Sequence, residues 1–261
     1  MTTIMIDPGH GGKDSGAVYG SYREKDFTLN IGLRVQQYLK KHYQATIFMT
    51  RTTDTYVSLS QRTSMATAQH ADYFCSIHVN AGGGTGWESY IYNGTVPSET
   101  VDAQTVIHQH VMGEIGPKYG IRDRGKKRAN FYVLRETSMS AILLENLFID
   151  HSSDLKLLTD STFIQDLSIA IGDGIASALH IPKKFIYKVI AGSFKNQFNA
   201  VDRVNHLSSH GIEAFIWKVT IDGEVYYRVQ AGAFHHQDNA EERLKELKAI
   251  GITDAFILPT E

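Results

Sequence analysis

The C-terminal part of the chain repeats itself, and a repeat of this length leaves few folds open. Tyr187-Lys188-Val189-Ile190-Ala191-Gly192-Ser193-Phe194 returns as Tyr227-Arg228-Val229-Gln230-Ala231-Gly232-Ala233-Phe234, an offset of 227 − 187 = 40 residues. Asn199-Ala200, Arg203, Leu207 and Gly211-Ile212 recur at Asn239-Ala240, Arg243, Leu247 and Gly251-Ile252. Each copy reads strand, Asn-capped helix, strand, and Asp222-Gly223 supplies a hairpin turn between the copies. Two copies cannot stack into a solenoid, so they are predicted to fold together as one small ferredoxin-like βαββαβ domain of the α+β type over 186–261. A linker at 181–185, with Pro182-Lys183-Lys184, precedes it.

The domain is not basic: residues 185–261 hold Lys+Arg 8 and Asp+Glu 10. An RNA-recognition module of the same topology needs a basic central strand studded with aromatics, and none is present. A near-neutral surface with paired aromatic positions suits sugars better than phosphates. Phe194 and Phe234 read as core residues. Gln230 stands where the other copy has Ile190, and this break in symmetry marks Gln230 as a candidate contact on a one-sided binding face.

Residues 1–180 alternate strands with helices, which predicts an α/β fold, a twisted and mostly parallel sheet with helices on both faces. The first strand, Thr3 to Ile6, runs into the glycine-rich turn Asp7-Pro8-Gly9-His10-Gly11-Gly12. Glu24 to His42 carries apolar residues at helical spacing, and Ala45 to Arg51 reads as a strand. Ser58 and Gln61 form a capping-box signature for a helix reaching Gln69. Strands are predicted at Asp72 to Asn80 and Trp87 to Tyr92, then a helix over Glu99 to Ile115. Arg122 to Arg128 reads as a charged loop, either a solvated surface or a rim for anionic groups. Phe131 to Leu134 and Ala141 to Leu144 read as strands, the second ending at Glu145, and a last helix covers Ser161 to Leu179.

Composition removes several classes of function. Lys+Arg 26 against Asp+Glu 28 gives a net charge of −2, which argues against binding nucleic acid through bulk electrostatics. Cys75 is the single cysteine, so there is no internal disulfide and no cysteine-based zinc site. No run approaches the roughly 18 apolar residues of a membrane span, and no basic-then-apolar leader precedes the first strand. The expectation is a protein made in the cytoplasm without a Sec signal and not inserted in a membrane; a substrate outside would require release by lysis or another route.

In such sheets, sites gather where strands end. His10, His78 and Glu145 stand at strand ends, and Glu24 opens the first helix just after the glycine turn. Two histidines and one carboxylate match a catalytic zinc set with a fourth position open, leaving Glu145 available as general base. Each residue also has an ordinary reading: Glu24 favouring the helix dipole, Glu145 pairing with an arginine, His78 bonding to backbone.

Asp7-Pro8-Gly9-His10-Gly11-Gly12, Glu24-Lys25-Asp26, Ser76-Ile77-His78-Val79-Asn80-Ala81 and Leu144-Glu145-Asn146 together resemble the successive motifs of the zinc-dependent N-acetylmuramoyl-L-alanine amidases of the amidase type 3 family. The resemblance implies that His10, Glu24 and His78 bind zinc, that Glu145 is the catalytic carboxylate, and that Asn80 contacts substrate. It implies cleavage of the bond joining N-acetylmuramic acid to L-alanine in peptidoglycan, the partner on which the chain would act. The same constellation could serve a peptidoglycan carboxypeptidase or endopeptidase, or be vestigial in a wall-binding protein. Leu147 stands where the family often has Gly and His151 where Asn is common, which bears on the local backbone path and subsite shape. The repeat domain resembles the sporulation-related (SPOR) peptidoglycan-binding domain, and the whole is similar to a sporulation mother-cell wall hydrolase or a phage endolysin.

Overall fold

Two hydrophobic faces along one sheet set the layout of the N-terminal part. In the first strand Ile4 and Ile6 point into one core and Met5 into another, the period-2 alternation of a strand covered on both sides. The computed structural model describes residues 1–260 and divides into two units, Met1–Pro182 and a second beginning at Lys183.

In the first unit the elements run β1 (Thr2–Pro8), the short pair β2 (Val18–Tyr19) and β3 (Tyr22–Arg23), α1 (Glu24–His42), β4 (Ala45–Met49), α2 (Leu59–Ala68) and β5 (Tyr73–Asn80). They continue with β6 (Trp87–Tyr92), α3 (Ser98–Tyr119), β7 (Asp123–Ala129), α4 (Tyr132–Arg135), β8 (Ser140–Phe148), α5 (Ser152–Leu158) and α6 (Ser161–Ala178). The six-stranded sheet has the order β4-β1-β5-β8-β6-β7. Neighbours from β4 to β8 are parallel, β6 is antiparallel to β8, and β7 is parallel to β6. This is the expected mixed, mostly parallel sheet.

The helices form for readable reasons. Along α1 the buried Phe27, Ile31, Val35 and Leu39 recur every fourth residue, with Glu24 and Asp26 in its first turn and Lys40, Lys41 and His42 in its last. The Ser58–Gln61 capping box forms at α2 as expected. α1, α3 and α6 cover one face of the sheet, while α2 and α4 cover the other with Ala66, Val133 and Leu134.

Three local readings are corrected. Residues 123–129 form the edge strand β7 rather than a loop; an edge strand paired on one side need not show the apolar alternation that signals a buried strand. Phe131 to Leu134 is no strand: residues 132–135 make one helical turn that buries the adjacent Val133 and Leu134, a short apolar run that periodicity cannot assign. The short helix α5 was not anticipated.

The second unit runs β9 (Ile186–Phe194), α7 (Gln197–Ser209), β10 (Phe215–Ile221), β11 (Glu224–Phe234), α8 (Gln237–Ala249) and β12 (Phe256–Thr260). Its sheet has the antiparallel order β10-β11-β9-β12, the ferredoxin-like arrangement. Equivalent residues of the repeat fill its core: Val189 with Val229, Ala191 with Ala231, Ala200 with Ala240, Leu207 with Leu247. Asp222 and Gly223 both take positive φ, 51° and 81°, as the hairpin turn requires. No helix of the described residues is long and apolar enough to cross a membrane.

Candidate active site

β1, α1 and β5 bring His10, Glu24 and His78 together at the carboxyl end of the parallel strands. His10 Nε2 lies 3.1 Å from Glu24 Oε2, and His78 Nδ1 lies 3.0 Å from Glu24 Oε1. One ligand atom from each lies within 4.8 Å of the other two, close enough for a single cation to touch all three. Glu24 is further fixed by the Ala17 and Val79 amides, which donate to its two oxygens at 2.9 and 3.0 Å. The other nitrogen of His10, Nδ1, is 3.0 Å from Asp14 Oδ2, a contact that fixes the ring with Nε2 turned toward Glu24.

Glycine makes this approach possible. A Cβ on Gly9 would stand 2.4 Å from the His78 ring, and one on Gly16 would stand 2.5 Å from Glu24 Oε2. Any side chain at either place would push a ligand aside.

The electrostatics favour positive charge in the gap. Burial alone would lower the pKa of both imidazoles, but the hydrogen bonds and charge of Glu24 outweigh it and hold both above the usual histidine value. Burial would likewise raise the Glu24 pKa, yet the two histidines hold it well below the ordinary carboxylate range. A bound cation satisfies the same three groups without protons. The donor set, two imidazoles and one carboxylate, is a set that zinc accepts while keeping a fourth position open.

Glu145 is the opposite case. It lines the same cleft, of about 410 Å³, and its Oε2 is shielded from solvent without a hydrogen-bond partner among the described residues. Burial pushes its carboxyl up to about 7. In the sheet Glu145 pairs with His78 on one side and Glu88 on the other, so the three stand in a row across β5, β8 and β6. Asn80 also lines the cleft, with its Nδ2 donating to Glu88 Oε1 at 2.7 Å. Gln230 belongs to the second unit, where it pairs with Ile190 and is only 6% exposed. It lines a groove there beside Gly232, Phe234 and Arg243.

Sequence reasoning missed the groups that hold the glycine turn. Buried Asp7 accepts from Arg62 Nη1 (2.6 Å), Thr50 Oγ1 (2.6 Å) and Ser76 Oγ (2.7 Å). Arg62 also donates to the carbonyls of Pro8 and His10, and Arg51 to those of Pro8 and Gly9. The only signal was position: Arg51 lies two residues past the end of β4, and Arg62 lies one turn into α2. Glu88 gave none, because a glutamate within a strand reads as solvent-facing.

Leu147 keeps the glycine-like path that its side chain disfavours. It is fully buried at φ 69°, next to a register shift between β5 and β8. His151 caps α5 by position only, its ring meeting Ser153 Oγ at 3.0 Å.

A His–Glu–His trio and a carboxylate whose burial favours its protonated form share one cleft, an arrangement suited to hydrolysis. The chain belongs to the N-acetylmuramoyl-L-alanine amidase type 3 family, whose pattern matches residues 4–177, and a SPOR domain pattern matches residues 183–259. It is similar to the sporulation-specific N-acetylmuramoyl-L-alanine amidase of Bacillus subtilis strain 168, 43% identical over 220 residues, covering 83% of this chain and 84% of the relative. It is also similar to the endolysin of Bacillus phage SPP1, 43% identical over 183 residues, covering 69% and 67%. Among solved structures, the catalytic domain of the amidase CwlV from Bacillus (Paenibacillus) polymyxa var. colistinus matches with TM-score 0.64 and 35% identity, covering 70% of this chain and 100% of that one. The chain is thus a peptidoglycan amidase that cuts between N-acetylmuramic acid and L-alanine, with a wall-targeting SPOR domain.

Proposed function

We propose that His10, Glu24 and His78 hold zinc and that Glu145 moves the proton that amide hydrolysis requires. The observation that carries this reading is the convergence of His10, Glu24 and His78 in one cleft with the unpartnered Glu145 Oε2. When bound, the ion lowers the pKa of water to about 7 and polarises the scissile carbonyl. Glu145 accepts a proton from the attacking water and returns it to the amide nitrogen as the C–N bond breaks, so that L-alanine leaves as a neutral amine. Asp14 keeps His10 in the tautomer that offers Nε2. Val133, Leu143 and Phe131 give the cleft an apolar wall beside the reacting bond.

Asn80, anchored to Glu88, presents its remaining polar capacity to the substrate at the rim. In the second unit Gln230, through the groove it lines, is the candidate contact to glycan. Action on the wall after release by lysis or another route fits the sporulation-specific and endolysin relatives.

The test is digestion of purified peptidoglycan by the intact protein, with and without a chelator, followed by mass spectrometry of new termini. Chelator-sensitive release of stems beginning with L-alanine, restored by zinc and without new reducing ends, is expected. Activity that persists after complete metal removal would reject the metal assignment. Deleting residues 185–261 is expected to weaken sedimentation with walls more than hydrolysis of small soluble fragments; equal losses would remove the targeting role.

A further inference from the structure

The charged segment at 122–128 is built into the sheet in a way that a solvated surface does not need. Arg124 and Lys127 are three residues apart, and in a regular strand an odd separation puts side chains on opposite faces. Here they share one. The register of β6 against β7 runs Trp87 with Asp123 and then Ser89 with Lys126, two steps on β6 against three on β7. Gly125, at φ 84°, lies within this bulge. The extra residue turns both cations onto the same buried carboxylate, a re-aiming of side chains that bulges perform beside active sites.

That carboxylate is Glu88. Arg124 Nε donates to Glu88 Oε2 at 2.7 Å, and Lys127 Nζ donates to the same oxygen. The other oxygen accepts from Asn80 Nδ2 at 2.7 Å and Tyr90 OH at 2.9 Å. Two cations face one anion, so the group carries one excess positive charge. Neither cation is sealed in, with side-chain exposures of 24% for Arg124 and 34% for Lys127. The Arg124 guanidinium lies 4.7 Å from the centre of the Phe148 ring, which holds its plane.

Position gives the excess charge a use. His78, Glu145 and Glu88 form a row across three neighbouring strands, and β7 adds the cations as the next step outward. A substrate with its scissile bond at the His78–Glu145 end and its peptide following the strand register outward would meet Arg124 and Lys127, the exposed cations on the neighbouring strand. Asn80 links the cleft to the carboxylate that holds the cations, since it lines the cleft and bonds to Glu88.

We propose that Arg124 and Lys127, oriented by Glu88, bind a carboxylate of the stem peptide and so make the enzyme prefer stems whose early carboxylate is free over stems in which it is amidated. This rests on the reading of the cleft as the amidase site. Glu88 is a positioning residue in this arrangement: it neutralises one charge, fixes two donors and leaves the rest for the ligand. A carboxylate is the fitting ligand because a guanidinium fork and an ammonium together match its two oxygens.

The test compares N-acetylmuramoyl-L-alanyl-D-glutamate with N-acetylmuramoyl-L-alanyl-D-isoglutamine, which differ by one carboxylate against one amide. Binding is measured by calorimetry on the intact Glu145→Gln chain, so that turnover plays no part. The free acid is expected to bind about tenfold more tightly, the worth of one charge-assisted hydrogen bond. Lys127→Gln and Arg124→Gln are each expected to shrink that preference, and the double substitution to bring it within about twofold, while Lys127→Arg retains it. Equal affinity for the two ligands, affinity for neither, or a preference that survives the double substitution would overturn the proposal. The comparison of ligands on the parent chain needs no variant in β7, so a variant that fails to fold does not protect the idea. If digestion released no L-alanine amines while the acid preference held, the amidase reading would fail and the carboxylate subsite would stand.

Discussion

The two units place their left-handed residues differently. In the second unit the only non-glycine residue with positive φ among those described is Asp222, in a hairpin turn whose type demands it. In the first, His70 and His180 take such angles just past α2 and α6, but His10 (φ 61°) and Leu147 (φ 69°) take them beside the cleft. The SPOR unit is locally consistent: small and branched repeat residues fill its core, and its turn uses the residues such turns prefer. The amidase unit overrules local preference around its site and holds the result with buried charge, the Asp7–Arg62 pair among it. Chemistry sits where the backbone is forced, and the wall-binding unit has no such requirement.

The chain offers a means of testing this contrast, because its two tryptophans, Trp87 and Trp217, fall one in each unit. In a Trp→Phe background each reports the unfolding of its own unit. The largest effect is expected from Glu145→Gln, a fall in kcat of about 10³-fold with zinc content unchanged by elemental analysis. A variant that lyses walls at the original rate would take Glu145 out of the chemistry. Next, Arg62→Met leaves Asp7 charged and buried and removes donors to the Pro8 and His10 carbonyls. It should destabilise the first unit by about 3 kcal/mol in urea, followed through Trp87, with the Trp217 transition unmoved. Matching shifts in both would mean that the units do not keep separate accounts of stability.

Smaller again is Gly9→Ala, whose Cβ meets the His78 ring. It is expected to weaken zinc about tenfold in competition with a chelating dye, and an unchanged affinity would show that His78 has room to move. The smallest is Asp222→Ala, which should lower the Trp217 transition by about 1 kcal/mol and leave Trp87 alone. A larger loss would place strain in the second unit and blur the contrast.

Much of the fold was legible because burial on one or both faces imposes periodicity. β1, α1, β5 and α6 could be read from their apolar spacing, and the second unit from its repeat. His10, Glu24 and His78 could be read because glycines and the change of period mark the turn after β1, the start of α1 and the loop after β5, whereas Glu145 was expected at the end of its strand and lies inside β8, which runs on to Phe148. What could not be read were buried charges. Arg51, Arg62 and Glu88 carry the letters of surface residues, and only their hydrogen-bond partners, remote in sequence, explain their burial. The strand β7 failed for the same reason: its charges answer to a carboxylate on β6, not to an apolar core.

β7 also forms one border of the six-stranded sheet, where the unpaired side of its backbone could recruit a strand from another molecule. Lys126, Lys127 and Arg128 stand along it, and the bulge at Gly125 bends it out of register. A second copy approaching border to border meets like charge and a backbone with the wrong spacing. The segment proposed to read the substrate thereby guards the chain against growing into aggregates, and neutralising it should increase self-association as well as change substrate choice.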